Sequence, residues 1–189
     1  TNLEDTNTIL AGATGFYIFT SGTTGMPKAA KVGQRRLLAA GGAFSKAGVR
    51  AKPSDRIYLC LPLFHGTGFI CGVNSAIFSG ASMFLRRKFS ASAFWPEIQK
   101  YQCTIFFYVG ELCRYLVTQP PCPEEKNNPL TRVFGNGLRP DVWVEFKTRF
   151  GIERVCEFYG SSEGNVSFFN AFNKDKTIGF CPGTILLVE

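Results

Sequence analysis

Short apolar runs rich in aromatic and β-branched residues alternate with helical patterns along most of this 189-residue chain. The apolar runs predict strands at 15–20, 28–32, 55–61, 82–85, 104–109, 132–134, 154–159 and 166–172. The intervening segments predict helices at 34–47, 67–78, 90–101, 110–119 and 140–150. Strands that alternate with helices form a mainly parallel sheet flanked by helices, so we expect an α/β fold.

The charge balance restricts the kind of partner. The chain has 21 Lys and Arg residues against 14 Asp and Glu residues, a net charge of +7. A basic balance suits anionic partners such as nucleotides, coenzymes or lipid headgroups. The basic residues are scattered and form no long run, so we expect no nucleic-acid binding.

The seven cysteines and the single histidine argue against a structural zinc site. Structural zinc ligands come as closely spaced pairs, and the sequence has no CxxC. Most of the cysteines lie in apolar runs such as 58–61. We therefore predict buried free thiols in a reducing compartment.

Residues 57–85 contain no Lys, Arg, Asp or Glu and are long enough to imitate a membrane span. Pro62, His65, Asn74 and several glycines interrupt this stretch. Such residues favour a strand, a loop and a buried helix instead. We expect no transmembrane segment in residues 57–85.

A loop of glycine and hydroxyl residues follows the first predicted strand. Its members are Thr20, Ser21, Gly22, Thr23, Thr24, Gly25, Met26, Pro27 and Lys28. Glycines let backbone N–H groups approach an anion, and the hydroxyls and Lys28 add donors and positive charge. The Walker loop is excluded because Lys28 stands between Pro27 and Ala29. The loop predicts a polyphosphate site; the alternative is a polar, flexible turn.

Two further loops follow predicted strands at 132–134 and 154–159. The stronger one contains Tyr159, Gly160, Ser161, Ser162 and Glu163. Its tyrosine can stack on a planar base, Ser162 can bond a phosphate, and Glu163 can hold Mg²⁺ against phosphate oxygens. The alternative is a capped turn with a surface glutamate.

The weaker loop is Gly135, Asn136 and Gly137, which also fits a plain strand-to-helix turn. Ligands of parallel sheets bind beyond the carboxyl ends of strands, where we expect these loops to lie. His65, the single histidine, is either a general base or an ordinary loop residue.

These segments resemble known signatures. Residues 17–28 are similar to the phosphate-loop signature of the adenylate-forming superfamily, which contains acyl-CoA synthetases, luciferases and peptide-synthetase adenylation domains. Residues 159–163 resemble its second signature, Tyr-Gly-x-Thr-Glu, with Ser162 in place of the Thr. Residues 108–116, 134–143 and 159–165 resemble the fatty acid transport proteins, also called very-long-chain acyl-CoA synthetases. The resemblance covers the chain from about Gly15 onward.

The resemblance implies part of the large N-terminal domain of an ATP-dependent long-chain or very-long-chain fatty acid–CoA ligase. Such an enzyme uses ATP, Mg²⁺ and coenzyme A, and passes through an acyl-adenylate. It implies that Lys28 and Glu163 are catalytic, that residues 20–28 hold the β- and γ-phosphates, and that Glu163 holds the metal. The implied adenine and remaining ATP contacts are Gly135, Asn136, Gly137, Tyr159, Gly160, Ser161 and Ser162. The implied acyl-site residues are His65, Val109 and Gly110.

The family's Thr-Gly-Asp ribose segment, a later arginine and the C-terminal domain with its lysine do not occur in these residues. We therefore expect residues 1–189 to be a central portion of the AMP-binding domain that is inactive alone. The resemblance implies an intracellular, membrane-associated full-length protein, at the endoplasmic reticulum, peroxisome, lipid droplet or plasma membrane. Fatty acid uptake as the main role, and a ligase for bile acids or aryl acids, stay open as alternatives.

Overall fold

The computed structural model describes residues 8–20, 25–162, 164 and 167–181. The strands are β1 (Thr14–Thr20), β2 (Lys28–Gly33), β3 (Arg56–Leu59), β4 (Ser82–Leu85), β5 (Ile105–Val109), β6 (Arg132–Asn136), β7 (Arg154–Gly160) and β8 (Ser167–Phe169). The α-helices are α1 (Gln34–Gly42), α2 (Asn74–Ser79), α3 (Ala91–Tyr101), α4 (Gly110–Thr118) and α5 (Pro140–Phe150). Wider π-helical turns extend α1 over Ala43–Gly48 and precede α2 over Thr67–Val73, and a short 3₁₀ turn covers Pro123–Glu125.

The central sheet has six strands in the order β4-β3-β5-β6-β7-β8. The five strands from β4 to β7 pair in parallel, and only β8 runs antiparallel to its neighbour β7. The predicted α/β fold with a mainly parallel sheet is therefore confirmed. Its parallel strands are joined by helices, as crossover connections require.

The first strand does not join this sheet, contrary to the expectation that every loop leaves a parallel strand. Strand β1 pairs antiparallel with β2 in a separate two-stranded sheet, with Thr20 opposite Lys28. The glycine- and hydroxyl-rich loop therefore connects the two strands of a hairpin. A hairpin forms because residues 28–32 are extended and directly follow a loop short enough to reverse the chain.

The prediction of a loop at Gly135–Gly137 was wrong for its first two residues. Gly135 and Asn136 continue β6, where Gly135 pairs with Tyr108 of β5 and Glu157 of β7. The Tyr108 ring lies 2.7 Å from the position that a Cβ of residue 135 would occupy. The missing side chain makes room for this ring, which is why a glycine lies within the strand.

The helices follow the predicted segments closely. Ser90 caps α3 by accepting a 3.4 Å hydrogen bond from the Ala93 amide. Pro140 occupies the first turn of α5, and Gly151 ends that helix in the left-handed conformation. The uncharged stretch 57–85 forms β3, the turns and helix that follow, and β4. Within the part of the chain that the structure describes, no helix is long and apolar enough to cross a membrane.

Two apolar layers cover the sheet because successive side chains of a strand point to opposite faces. On β5, Phe106 and Tyr108 face α3, α4 and α5, whereas Ile105 and Phe107 face the segments that contain α1 and α2. The cysteines are free thiols, and five of the seven are buried in these layers. A third, smaller cluster of Ile18, Val32 and Ile70 fastens the hairpin to the body.

A buried ion pair ties together the amino ends of three strands. The Asp55 carboxylate, before β3, accepts hydrogen bonds from Arg132 of β6, from the Thr104 hydroxyl at 2.8 Å and from the Lys52 amide at 2.7 Å. Burial raises the pKa of the Asp55 carboxyl, but these hydrogen bonds outweigh burial and hold that pKa below its usual value. The carboxylate therefore stays ionised at neutral pH.

Replacing Asp55 with alanine is expected to lower the free energy of unfolding by about 3 kcal/mol, because it leaves the Arg132 guanidinium half-buried without its carboxylate. Urea unfolding of the purified protein measures the change. The matched control is Asp141→Ala, whose partner Arg139 and own carboxylate are 71% and 66% exposed, and which is expected to cost less than about 0.5 kcal/mol. Equal losses in the two variants would show that the buried pair does not hold the strands.

Candidate nucleotide and acyl site

The carboxyl ends of β5, β6 and β7 bring three predicted segments together. They are Val109–Gly110 after β5, Asn136–Gly137 at the end of β6, and 159–162 at the end of β7. A Cβ on Gly110 would overlap the carbonyl of Gly137, so the backbones of these two segments are in direct contact. Parallel pairing of three neighbouring strands thus gathers residues that are up to 53 positions apart in sequence.

A cavity of about 590 Å³ opens at this edge of the sheet. Its lining residues include Asn136, Gly137 and Tyr159, three of the predicted adenine contacts. The Tyr159 side chain is 64% exposed, so its ring is free to stack on a planar group. The Oδ1 atom of Asn136 is buried and has no hydrogen-bond partner among the described residues. A buried acceptor of this kind is satisfied by a donor on a ligand or a water.

A buried glutamate, which the sequence analysis missed, lines this cavity. Glu157 of β7 is 3% exposed. Its Oε1 accepts the Leu138 amide at 3.0 Å, and its Oε2 accepts a short hydrogen bond from the Tyr108 hydroxyl. The side chain therefore joins β5, β7 and the backbone that follows β6. A charged residue inside the apolar run 154–159 was the sequence signal that could have revealed it.

Burial raises the pKa of the Glu157 carboxyl to about 7, although the hydrogen bonds from Tyr108 and from the backbone of Leu138 and Gly137 oppose that rise. Burial also raises the pKa of the Tyr108 hydroxyl. The tyrosine therefore remains the proton donor of the pair. The pKa of the Glu157 carboxyl lies near neutrality, so this group gains or loses its charge within the pH range in which most enzymes work.

A second cavity, of about 300 Å³, lies on the other side of the β7 terminus. Its walls are mostly apolar and come from α1 with its π-helical extension, from residues 65–71, and from β7 and β8. The apolar wall residues are Ala39, Ala40, Ala43, Phe44, Ile70, Cys71, Phe158 and Phe169. The polar lining residues with side chains are Arg36, His65, Thr67, Ser161, Ser162 and Ser167.

Of the three predicted acyl-site residues, only His65 lines one of these two cavities. His65 is exposed and lines the apolar cavity, where its Nδ1 accepts a 3.3 Å hydrogen bond from the Thr67 amide. Val109 and Gly110 do not line the apolar cavity, and Gly110 contacts Gly137 of the larger one. Of the predicted nucleotide residues, Gly160, Ser161 and Ser162 line the apolar cavity.

The structure describes only the two ends of the predicted phosphate loop, Thr20 and residues 25–28. Thr20 donates a 3.4 Å hydrogen bond from its hydroxyl to the Lys28 carbonyl, and the Lys28 side chain is exposed. Gly25 has φ +98, a conformation that favours glycine. Ser21, Gly22, Thr23, Thr24 and Glu163 lie outside the described residues. Their predicted contacts with phosphate and Mg²⁺ therefore stay predictions.

The sequence profile of the AMP-binding enzyme family matches residues 4–187. The chain therefore belongs to that family. Among curated proteins, the medium/long-chain-fatty-acid–CoA ligase FadD6 of Mycobacterium tuberculosis is 48% identical over 189 residues, which are all of this chain and 32% of that protein. Human long-chain fatty acid transport protein 1 is 46% identical over 165 residues, 87% of this chain and 25% of that protein. The chain spans about a quarter to a third of the length of these relatives.

Solved structures of the same fold include acyl-CoA ligases. A malonyl-CoA ligase in a ternary product complex with methylmalonyl-CoA and AMP superposes with a TM-score of 0.79 at 27% identity, covering 92% of this chain and 39% of that one. ATP-bound MatB from Rhodopseudomonas palustris has a TM-score of 0.76 at 24% identity, covering 90% of this chain and 33% of that one. The sheet and helices described above are thus part of the large domain of adenylate-forming enzymes.

Replacing Glu157 with glutamine is expected to flatten the pH dependence of stability between about pH 4.5 and 7. The folded protein holds the proton of the Glu157 carboxyl more tightly than the unfolded chain does. The contribution of this group to the free energy of unfolding is therefore complete below pH 4.5 and is lost as the pH rises through about 7. Thermal unfolding midpoints of both proteins across this range measure the effect. Wild type should lose stability relative to Glu157→Gln as the pH rises, and parallel curves would contradict the raised pKa.

Proposed function

We propose that this chain is the central part of the ATP-binding domain of an AMP-forming fatty acid–CoA ligase. The observation that carries the proposal is the pair of neighbouring cavities, because Phe158 lines both the larger cavity and the apolar one. Adenylation requires such neighbours, since the carboxylate of the acid must reach the α-phosphate of ATP. Membership of the AMP-binding family and the names of the relatives support the same reaction.

The proposed reaction has two steps. A carboxylate oxygen of the fatty acid attacks the α-phosphorus of ATP, the bond from that phosphorus to the bridging oxygen breaks, and pyrophosphate leaves. The coenzyme A thiolate, having lost its proton, then attacks the acyl carbon, the carbon–oxygen bond breaks, and AMP leaves. In reactions of this kind the protein acts mainly by positioning the groups and by stabilising charge on phosphate oxygens.

We assign the larger cavity to the adenine end of ATP. Tyr159 offers an exposed aromatic face for stacking, and the buried Oδ1 of Asn136 needs a donor that an adenine amino group can supply. Gly137 allows the backbone to approach a flat ring closely because it lacks a side chain. Gly135 makes room for the Tyr108 ring, and Gly110 contacts the backbone of Gly137.

We assign the triphosphate to the hairpin loop of residues 20–28 and to Ser162. The exposed ammonium group of Lys28 supplies charge where negative charge accumulates, and the Ser162 hydroxyl supplies a donor. Assigning Mg²⁺ to Glu163 rests on the resemblance alone. One carboxylate together with phosphate oxygens is a usual environment for that ion.

We assign the acyl chain to the apolar cavity. Six of its lining residues are alanine or phenylalanine, and its polar lining residues include His65, Ser161 and Ser162. A volume of about 300 Å³ lies within the range of small-molecule sites. An amphipathic acid would place its chain among the apolar side chains and its carboxylate at these polar residues. Bile acids and aryl acids remain the alternative substrates.

A second candidate role is fatty acid uptake at a membrane, which the names of the transport-protein relatives favour. The two roles are compatible because conversion to a coenzyme A ester traps an acid that has crossed a membrane. Fatty acid uptake in cells that express a full-length Lys28→Ala variant separates them. Uptake that persists without ligase activity would make transport the primary role.

Replacing Lys28 with alanine in the full-length protein is expected to reduce fatty-acid-dependent exchange of pyrophosphate into ATP by about 100-fold or more, because a charge that stabilises phosphate oxygens is lost. The control is Lys31→Ala, which removes the same charge from an exposed position on the opposite face of β2. That variant should keep near-normal exchange. Equal exchange in the two variants would remove Lys28 from the site.

Replacing Ala43 with leucine is expected to shift substrate preference toward shorter acids, because the larger side chain fills part of the apolar cavity. The measurement is kcat/KM for a series of saturated acids of increasing length. The control is Ala47→Leu, an exposed position outside the cavity lining. An unchanged length profile in Ala43→Leu would show that the acyl chain binds elsewhere.

A further inference from the structure

An arginine of α1 contacts the loop at the end of β7. Arg36 donates a 2.7 Å hydrogen bond from Nη1 to the Ser162 carbonyl and a 3.3 Å hydrogen bond from Nη2 to the Ser161 carbonyl. The two partners are 125 and 126 residues away in sequence. The sequence analysis did not single out Arg36.

The backbone of the loop is shaped to receive this guanidinium. The Gly164 amide donates a 3.0 Å hydrogen bond to the Ser161 carbonyl, which also accepts from Arg36. Gly164 has φ +72, and a Cβ at this position would overlap the guanidinium of Arg36. A glycine therefore permits both this backbone conformation and the close approach of the arginine.

The chemistry of the contact requires an arginine. The planar fork of a guanidinium can donate to two adjacent carbonyl oxygens at once, whereas a lysine ammonium is a single point charge. Hydrogen bonds from a charged donor are stronger than those between neutral groups. The contact is therefore strong enough to fix the position of a short turn.

The helix that carries Arg36 is itself firmly placed. The Asn74 side-chain amide donates a 2.5 Å hydrogen bond to the Leu37 carbonyl, and Gly41 lies against the Phe78 ring. Helix α1 begins directly after β2, whose first residue is Lys28. Arg36 thus links the hairpin that carries one signature to the loop that carries the other.

We propose that Arg36 is a positioning residue for adenylation: it holds the turn at Ser161 and Ser162 in register with the phosphate-binding hairpin. The proposal rests on the proposed function, because it assumes that Ser162 faces the phosphates during the reaction. Losing the guanidinium would release the Ser161 and Ser162 carbonyls. Because Arg36 also lines the apolar cavity, the test must separate positioning from contact with the fatty acid.

The test compares Arg36→Ala, Arg36→Lys and the control Arg35→Ala in the full-length protein. Arg35 is the exposed neighbour on the same helix, so its loss removes an equal charge. The assay is fatty-acid-dependent exchange of pyrophosphate into ATP. In Arg36→Ala the kcat/KM for ATP should fall roughly 10- to 100-fold. The KM for the fatty acid should stay within about twofold of the wild-type value. Arg36→Lys should recover part of the loss, and Arg35→Ala should match wild type.

Two kinetic outcomes would overturn the proposal. If Arg36→Ala and Arg35→Ala behave alike, the contact with the turn has no role in the reaction. If Arg36→Ala raises only the KM for the fatty acid, Arg36 binds the acyl carboxylate and does not position the turn.

A double-mutant cycle tests the contact itself. Gly164→Ala alone should lower exchange, because the added methyl group collides with the guanidinium. In the Arg36→Ala variant the Gly164→Ala change should reduce exchange by a clearly smaller factor, because the guanidinium with which the methyl group collides is absent. Independent, multiplicative losses would contradict the proposed contact. If Arg36→Ala does not fold, Arg36→Lys with Gly164→Ala provides the same test.

Failure of the proposed function gives a different result. If wild type shows no exchange with any fatty acid, the ligase assignment is wrong. The positioning role is then judged from ATP binding, measured as the thermal shift that ATP produces. A shift that is smaller in Arg36→Ala than in Arg35→Ala supports the role, and equal shifts refute it.

Discussion

The candidate site depends on the hydrogen bonds of one buried carboxyl group. Glu157 accepts a hydrogen bond from Tyr108 and another from the Leu138 amide, and so joins the ends of β5, β6 and β7. Leaving a buried polar group without partners is costly, so these three chain segments are held at fixed positions. The floor of the larger cavity follows from that arrangement, because Glu157 and Leu138 both line it.

The position of the two cavities follows from the alternation of side chains along β7. Cys156 packs into the apolar layer beneath the sheet, Glu157 faces the larger cavity, and Phe158 stands between the larger and the apolar cavity. One strand end therefore borders the larger cavity and the apolar cavity. The proposed joining of a fatty acid to a nucleotide needs two neighbouring cavities of this kind.

Sequence periodicity was sufficient to predict the α/β class and most helices and strands, because the pattern of apolar residues along the chain reflects which face of each element is buried. It did not predict that β1 and β2 pair with each other in a separate hairpin, because the partner of a strand depends on tertiary packing. It also missed Arg36 and Glu157, whose partners are distant in sequence. The acyl-site assignment of Val109 and Gly110 stays a prediction; the structure places Gly110 in backbone contact with Gly137.

The most direct test of the account is a crystal structure of the full-length protein with a non-hydrolysable acyl-adenylate analogue that carries a long acyl chain. The account predicts that the adenine ring lies against Tyr159 with its amino group near Asn136, and that the acyl chain passes Phe158 to lie among Ala39, Ala43 and Phe44. An adenine ring outside the larger cavity, or an acyl chain that leaves the apolar cavity empty, would contradict it.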